Sequence, residues 1–261
     1  MNICVLTKQV PDTDSSIRIN DLSDDIVLDG LKMIMNPYDE YAVEEAVKTC
    51  QSIPGSKSTV MTLGEGSSKS ILITSLAMGM DEAVRIEDPG GEEDCYKTAI
   101  ILSRVLGEMD FDLIFVGKSA FDDNASSVGA LVAEFLGVPY VSNVVKFEIT
   151  GDDSLKIHRE KESGADVVCV SLPCVISCEK GLNRPRYPKL MKLMKANKKN
   201  IPVRSIDSLG FTDVEINGFE KTKTLGLITP PCRPPGKMLE GEPEEVISEL
   251  FRELREVVKV V

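Results

Sequence analysis

Apolar and polar positions along this chain repeat with two periods, and the change from one to the other divides it. Residues 2–7 are a compact apolar run of strand length. Asn36-Pro37 then predicts a helix start, with asparagine as N-cap and proline at the first helical position. Ala42, Val43, Ala46 and Val47 continue it as one apolar stripe. A strand is predicted over 58–63, then a helix capped by Ser67 that runs to Met78 and stops at Gly79. Residues 83–86 read as strand, 96–109 as helix from the spacing of Ile100, Ile101, Val105 and Leu106, 113–116 as strand, and 127–136 as helix ending before Gly137 and Pro139. Strands and helices alternating through short connections predict an α/β fold, a doubly wound, mainly parallel sheet with right-handed crossovers.

Near residue 141 the pattern changes. Residues 144–150, 155–160 and 166–172, separated by Gly151-Asp152-Asp153 and Ser163-Gly164, predict an antiparallel extension of the sheet. The apolar run 167–176 reads as strand and leads into a basic segment, 179–196, that carries Pro185 and Pro188. These prolines fix φ and bias Arg184 and Tyr187 toward extended geometry, so Leu190, Met191, Leu193 and Met194 begin a short amphipathic turn on a stiff arm. Two readings fit this arm: a docking surface, or a solvated loop whose Leu and Met side chains fold back onto their own domain. After 202–206 comes a polar connector with Pro230, Pro231, Pro234 and Pro235, then an amphipathic helix over 243–258 carrying Val246, Ile247, Leu250, Phe251, Leu254, Val257 and Val258. Such a helix either packs on its own domain or wraps a partner.

At 261 residues, 42% hydrophobic and 28% charged, the chain has the composition of a normally cored protein. A formal charge of −12 argues against nucleic acid, which needs a basic footprint. No apolar run approaches the roughly 20 residues that span a bilayer, and Met1 leads directly into a strand rather than a signal-peptide pattern, so a cytoplasmic location is expected. The seven cysteines are odd in number and never spaced Cys-x-x-Cys, and with a single histidine, His158, they predict free thiols in a reducing compartment rather than a metal centre.

In an open α/β sheet, ligands bind beyond the carboxyl ends of the strands where strand order reverses. The candidate loops are therefore 6–12, 63–67 and 117–129. The last places small, hydroxyl-bearing residues at a helix start, where free N–H groups and the helix dipole attract anions. Ser126, Ser127 and Val128 are the phosphate candidates; simple capping by Asn124 or Ser126 is the alternative. Gly64-Glu65-Gly66 resembles part of a dinucleotide fingerprint but lacks its third glycine. One histidine cannot build a Ser, His and Asp constellation, so no catalytic acid, base or nucleophile is expected.

Several words of the sequence fall in a family's order: Val5-x-x-Lys8-Gln9-Val10-Pro11-Asp12, Met35-Asn36-Pro37-Tyr38-Asp39-Glu40, Ala77-Met78-Gly79, Gly117-Lys118-x-Ala120-x-Asp122 with Val128-Gly129, and Leu182-Asn183-x-Pro185-Arg186-Tyr187-Pro188 followed by Met194-Lys195-Ala196. Together they resemble the electron transfer flavoprotein beta subunit. The resemblance implies an adenine nucleotide held by Leu6, Lys8, Asn36, Leu63, Gly64, Asp122, Ser126, Ser127 and Val128. It implies Asp12, Thr13 and Tyr38 near the FAD of an alpha subunit. It implies partner recognition by Leu190 as an apolar anchor, with Glu160, Arg186, Tyr187 and Lys195 around it, on a flavin-dependent dehydrogenase such as an acyl-CoA dehydrogenase. The division implied is 1–206 as nucleotide-binding domain, with antiparallel strands in 141–178 and a recognition arm at 179–199, and 207–261 as an arm reaching the alpha subunit.

Within the family the nucleotide is AMP in simple carriers, or a second FAD meeting NADH in electron-bifurcating members. The Lys8 to Thr13 opening looks more like the bifurcating type, so FAD is expected. Many relatives read Asp-Gly-Asp-Thr-x-Gln-Val-Gly where this chain has Asp122-Asp-Asn-Ala-Ser-Ser-Val-Gly129. Ala125 and Ser127 thus weaken side-chain contact to phosphate but leave main-chain contact intact. An adenine-nucleotide hydrolase or ligase on the same scaffold would show a Ser-Gly-Gly-x-Asp-Ser turn where Thr7-Lys-Gln-Val-Pro-Asp12 stands. A nucleotide sensor would have no need of the 182–196 arm.

Overall fold

The computed structural model describes residues 1–20, 25–91, 93–151, 153–232 and 235–259; Asp152 of the predicted turn and Pro234 of the connector lie outside them. Its strands are β1 (Asn2–Leu6), β2 (Gln9–Pro11), β3 (Met33–Met35), β4 (Lys57–Leu63), β5 (Glu82–Ile86), β6 (Leu113–Gly117), β7 (Tyr140–Ile149), β8 (Ser154–Lys161), β9 (Gly164–Ser171), β10 (Cys174–Cys178) and β11 (Val203–Arg204). Its α-helices are α1 (Pro37–Ser52), α2 (Lys69–Met78), α3 (Cys95–Leu106), α4 (Val128–Leu136), α5 (Leu190–Ala196), α6 (Asp213–Gly218) and α7 (Pro243–Arg252). The main sheet has nine strands in the order β11-β5-β4-β1-β6-β10-β7-β8-β9. It is parallel from β11 to β7 and antiparallel from β7 to β9. This is the doubly wound sheet with an antiparallel extension that the pattern predicts.

Two cores sandwich the sheet because successive strand residues point to opposite faces. Ile3 and Val5 of β1 face a cluster with Ala42, Val43, Ala46 and Val47 of α1 and Ile71 and Leu72 of α2. Cys4 and Leu6 face the opposite cluster, with Ile101, Leu102 and Val105 of α3 and Val132 and Ala133 of α4. The chain passes from β1 out to β4 and β5, then returns to place β6 on the other side of β1. Strand order therefore reverses between β1 and β6.

The structure differs from the pattern in four places. The apolar run 167–176 is two strands rather than one: β9 is the antiparallel edge, and after Pro173, which has no N–H for a ladder, β10 enters the parallel core between β6 and β7. Residues 9–11 and 33–35 pair as a separate antiparallel ribbon that no period revealed. Ser67 lies in a 3-10 turn, Gly66–Ser68, and α2 begins after it without a side-chain cap. The helix predicted over 96–109 is Cys95–Leu106, started by Asp94, whose carboxylate accepts from the Tyr96 and Lys97 N–H groups.

Beyond the sheet, Leu209 and Ile216 are buried, and Asp94 Oδ2 accepts from the N–H groups of Lys221 and Thr222, at 2.9 and 2.8 Å, and from the Thr222 hydroxyl, at 2.7 Å. Lys97, a buried cation in the first turn of α3, reaches Glu220 at 2.9 Å. The chain is thus tied to the domain as far as Thr222. The final helix does run to Val258, as α7 followed by a π turn, Glu253–Val258. No residue of α7 is buried, and Ile247, Leu250, Phe251 and Val257 are exposed. Among the described residues no helix is long and apolar enough to cross a membrane.

Candidate functional site

The loops after β1 and β6 flank the point where strand order reverses, and α1 locks them together. Asn36 is 1% exposed, and its Nδ2 donates to Asp39 Oδ1 at 2.9 Å and to the Ser119 carbonyl at 2.8 Å, while its Oδ1 accepts from the Phe121 N–H at 3.1 Å. Asp39 accepts in turn from the Lys8 N–H at 2.7 Å and from the Gly117 N–H. Asn36 is positioned as the helix cap, yet its side chain makes no capping bond and staples the two loops instead. Burial pushes the Asp39 carboxyl up to about 7 against the pull of these donors. Gly117 has no room for a side chain: a Cβ there would overlap Asp39 Oδ1 and lie 2.9 Å from Tyr38 Cβ.

Lys8 crosses between the loops. Its ammonium is 2.8 Å from Asp122 and 3.4 Å from both Asp123 and Glu93. Desolvation works against this charge, but the three carboxylates outweigh it and raise the Lys8 pKa. The lysine is therefore neutralised by protein, and an anion arriving here meets main-chain donors more than a free cation.

Those donors lie at the end of the same loop. Asn124 and Ser126 have φ of 49° and 53°, a left-handed backbone that non-glycine residues adopt at a cost of about 1–3 kcal/mol. Ser127 returns to the right-handed region at φ −110° and ψ −29°, and α4 starts at Val128 without a side-chain cap. Left-handed followed by right-handed backbone turns successive N–H groups toward one point, an anion-binding concavity that the helix dipole reinforces. Behind it, Gly129 packs so closely that a Cβ would lie 2.7 Å from Val116 Cγ2. Capping by Asn124 or Ser126, the other reading of this loop, is not what the structure contains.

Leu6 is buried at the end of β1, and Leu63 and Gly64 follow at the end of β4. The Gly64 carbonyl accepts from Arg85 Nη1 at 2.8 Å, which brings a cation to the second loop that sequence reasoning missed. Asp39 and Gln9 were also missed; Gln9 bonds Ser67 and Ser70 and ties the ribbon to α2. Position two after a helix-opening proline was the available signal for Asp39, whereas Arg85 had none. Asp12 pairs with Lys32 at 2.6 Å at the ribbon's tip, Thr13 is exposed beside it, and Tyr38 stands half-buried in the first turn of α1.

The arm is a separate surface. Tyr187 is 96% exposed, Leu190 73%, Met191 79% and Met194 57%. Leu193 instead packs against the core, and Ala196 is buried. Glu160 and Lys195 are exposed, on β8 and in the last turn of α5. Arg186 turns inward: its Nε and Nη2 grip Glu44 of α1 at 2.7 and 2.8 Å.

The architecture defines a doubly wound α/β protein with a left-handed turn leading into an uncapped helix at its switch point and an exposed apolar arm. The profile described as the electron transfer flavoprotein domain matches residues 25–209. The chain is 37% identical to the electron transfer flavoprotein subunit beta of Bacillus subtilis, over 100% of both chains. It is 32% identical to the caffeyl-CoA reductase-Etf complex subunit CarD of Acetobacterium woodii and 30% to the mouse electron transfer flavoprotein subunit beta, each over 98% of this chain, with 98% and 97% of those relatives covered. The chain belongs to the electron transfer flavoprotein beta subunit family, whose role is electron transfer in association with flavin.

Proposed function

We propose that this chain is the beta half of a cytoplasmic heterodimer with an electron transfer flavoprotein alpha subunit, and that it holds the adenosine phosphate end of an FAD at the β1/β6 switch point. The left-handed Ser126 followed by an uncapped α4 is the observation that carries this reading. It supports recognition of phosphate by main-chain N–H groups at Ser126, Ser127 and Val128, which tolerates the loss of Thr and Gln side chains in this loop. Leu6, Leu63 and Gly64 would form the apolar side, Lys8 and Asp122, paired at 2.8 Å, would close the rim, and Asn36 fixes the loops. Asp12, Thr13 and Tyr38 would lie toward the flavin that the alpha subunit binds. Bound flavin supplies the redox chemistry. The chain's own residues bind, orient and shield.

Electrons pass between NADH or an acyl-CoA-type dehydrogenase and a redox acceptor, by flavin-based bifurcation. The likeness to a subunit of a caffeyl-CoA reductase complex supports a flavin enzyme acting on a CoA thioester as the partner. Residues 1–206 carry the nucleotide and the recognition arm. Residues 207–261 reach onto the alpha subunit, a role supported by the exposed apolar face of α7. Co-expression with the alpha chain and flavin analysis tests the assignment: two FAD per heterodimer and flavin reduction by NADH are expected. One FAD with one AMP would overturn bifurcation and leave a simple carrier with a structural nucleotide.

A further inference from the structure

We propose that Glu44 and Glu45 of α1 are positioning residues that hold the 183–196 arm in one outward pose. This inference rests on the reading of that arm as the docking surface. Both carboxylates are buried, at 5% and 7% exposure. Buried carboxylates are costly unless paired and hydrogen-bonded. The packing of α1 gives them no reason to be there, since Ala42, Val43, Ala46 and Val47 already supply its core face. Their reason is the arm, 138 to 142 positions away in sequence.

Glu44 takes three hydrogen bonds from one residue: Arg186 Nε at 2.7 Å, Nη2 at 2.8 Å and the Arg186 backbone N–H at 3.1 Å. The planar fork fixes the guanidinium and the third bond fixes the main chain, which a lysine could not reproduce. Glu45 accepts from Asn183 Nδ2 at 2.7 Å, whose other proton goes to the Tyr41 carbonyl at 2.9 Å, and from Lys48 at 3.0 Å. Pro185, between the two grips, restricts the chain further. At the far end Ala196 is buried, and Lys199 Nζ donates to the Asp81 carbonyl at 3.0 Å.

The arm is thus held at both ends. Between the grips, Tyr187, Leu190, Met191 and Met194 remain in solvent, although a loose loop would fold them onto the nearest apolar surface. Holding them out lowers the ordering cost of docking.

The test uses the full-length chain in its purified complex, comparing Glu44→Ala, Glu44→Gln and Arg186→Lys with wild type. Hydrogen exchange of peptides covering 183–196 should accelerate about tenfold or more in Glu44→Ala, with β1 and β6 peptides unchanged. With an acyl-CoA dehydrogenase as electron donor, its KM for the flavoprotein should rise about tenfold at unchanged kcat, and the charge-exchanged pair Glu44→Arg with Arg186→Glu should recover part of the loss. Unaltered exchange in the arm, or acceleration spread through the whole chain, would overturn the proposal. So would a mobile arm with unchanged KM where Leu190→Ala raises it. Should Glu44→Ala fail to fold, Arg186→Lys and Asn183→Ala carry the same readings from the arm's side of the contact. If Leu190→Ala has no effect on KM, the docking reading itself fails and the positioning role falls with it, even if exchange shows that the clamp exists.

Discussion

At the residue scale, Asp94 shows what one carboxylate can organise. Burial opposes its ionisation, but the hydrogen bonds from Thr222, Lys97, Lys221 and Tyr96 outweigh it and hold the carboxyl below the usual range. A depressed folded pKa contributes stability that is complete above the unfolded pKa and is lost as pH falls through the folded one. Asp94→Asn keeps the helix cap but turns an amide donor toward the Lys221 and Thr222 N–H groups. It should cost about 1–3 kcal/mol in urea unfolding at pH 7. The gap to wild type should stay constant down to about pH 5, begin to narrow below about pH 4 as the unfolded carboxyl protonates, and vanish only below the depressed folded pKa. Gly117 is a second such residue. Gly117→Ala would drive a methyl into Asp39 Oδ1 and Tyr38, costing about 1–3 kcal/mol as overpacking does, and should open the loop pair; thermal unfolding and nucleotide content would register both.

At the element scale, the 117–128 loop makes a distinction between side chain and main chain. If phosphate is held by N–H groups, Ser126→Ala with Ser127→Ala should retain most bound nucleotide. Ser126→Val, a β-branched residue forced to φ 53°, should lose it. Equilibrium dialysis against radiolabelled AMP separates the two cases, and the opposite ranking would mean that hydroxyls do the binding. The elements themselves were unevenly legible. Helices α1 to α4 announce themselves by their apolar faces, and the central strands by short continuous apolar runs, since both faces of those strands are buried. The β2–β3 ribbon does not, because three-residue strands carry no period. The 167–176 run looked continuous because edge and buried strands share β-branched residues, and only Pro173 marks the break. The Asn36 staple and the Arg186 grip on Glu44 were not legible, since bonds to residues 83 and 142 positions away leave no local trace.

At the scale of the molecule, the reversal of strand order between β1 and β6 places the candidate loops, and alternation of strands and helices made that much readable in advance. What sequence alone left out was how the loops are tied, because Lys8, the Asn36–Asp39 start of α1 and the loop carrying Ser119 and Phe121 come from three separate segments. The same helix, α1, holds the loop pair with its first turn and the arm with Tyr41, Glu44 and Glu45, so site and arm share one rigid support. The most direct measurement is a count of all adenine nucleotides, FAD and AMP together, released by denaturing the purified heterodimer. Wild type should release two per heterodimer and Gly117→Ala close to one, that of the partner subunit. A single adenine nucleotide in wild type, or two in both proteins, would contradict the claim that the β1/β6 switch point holds one.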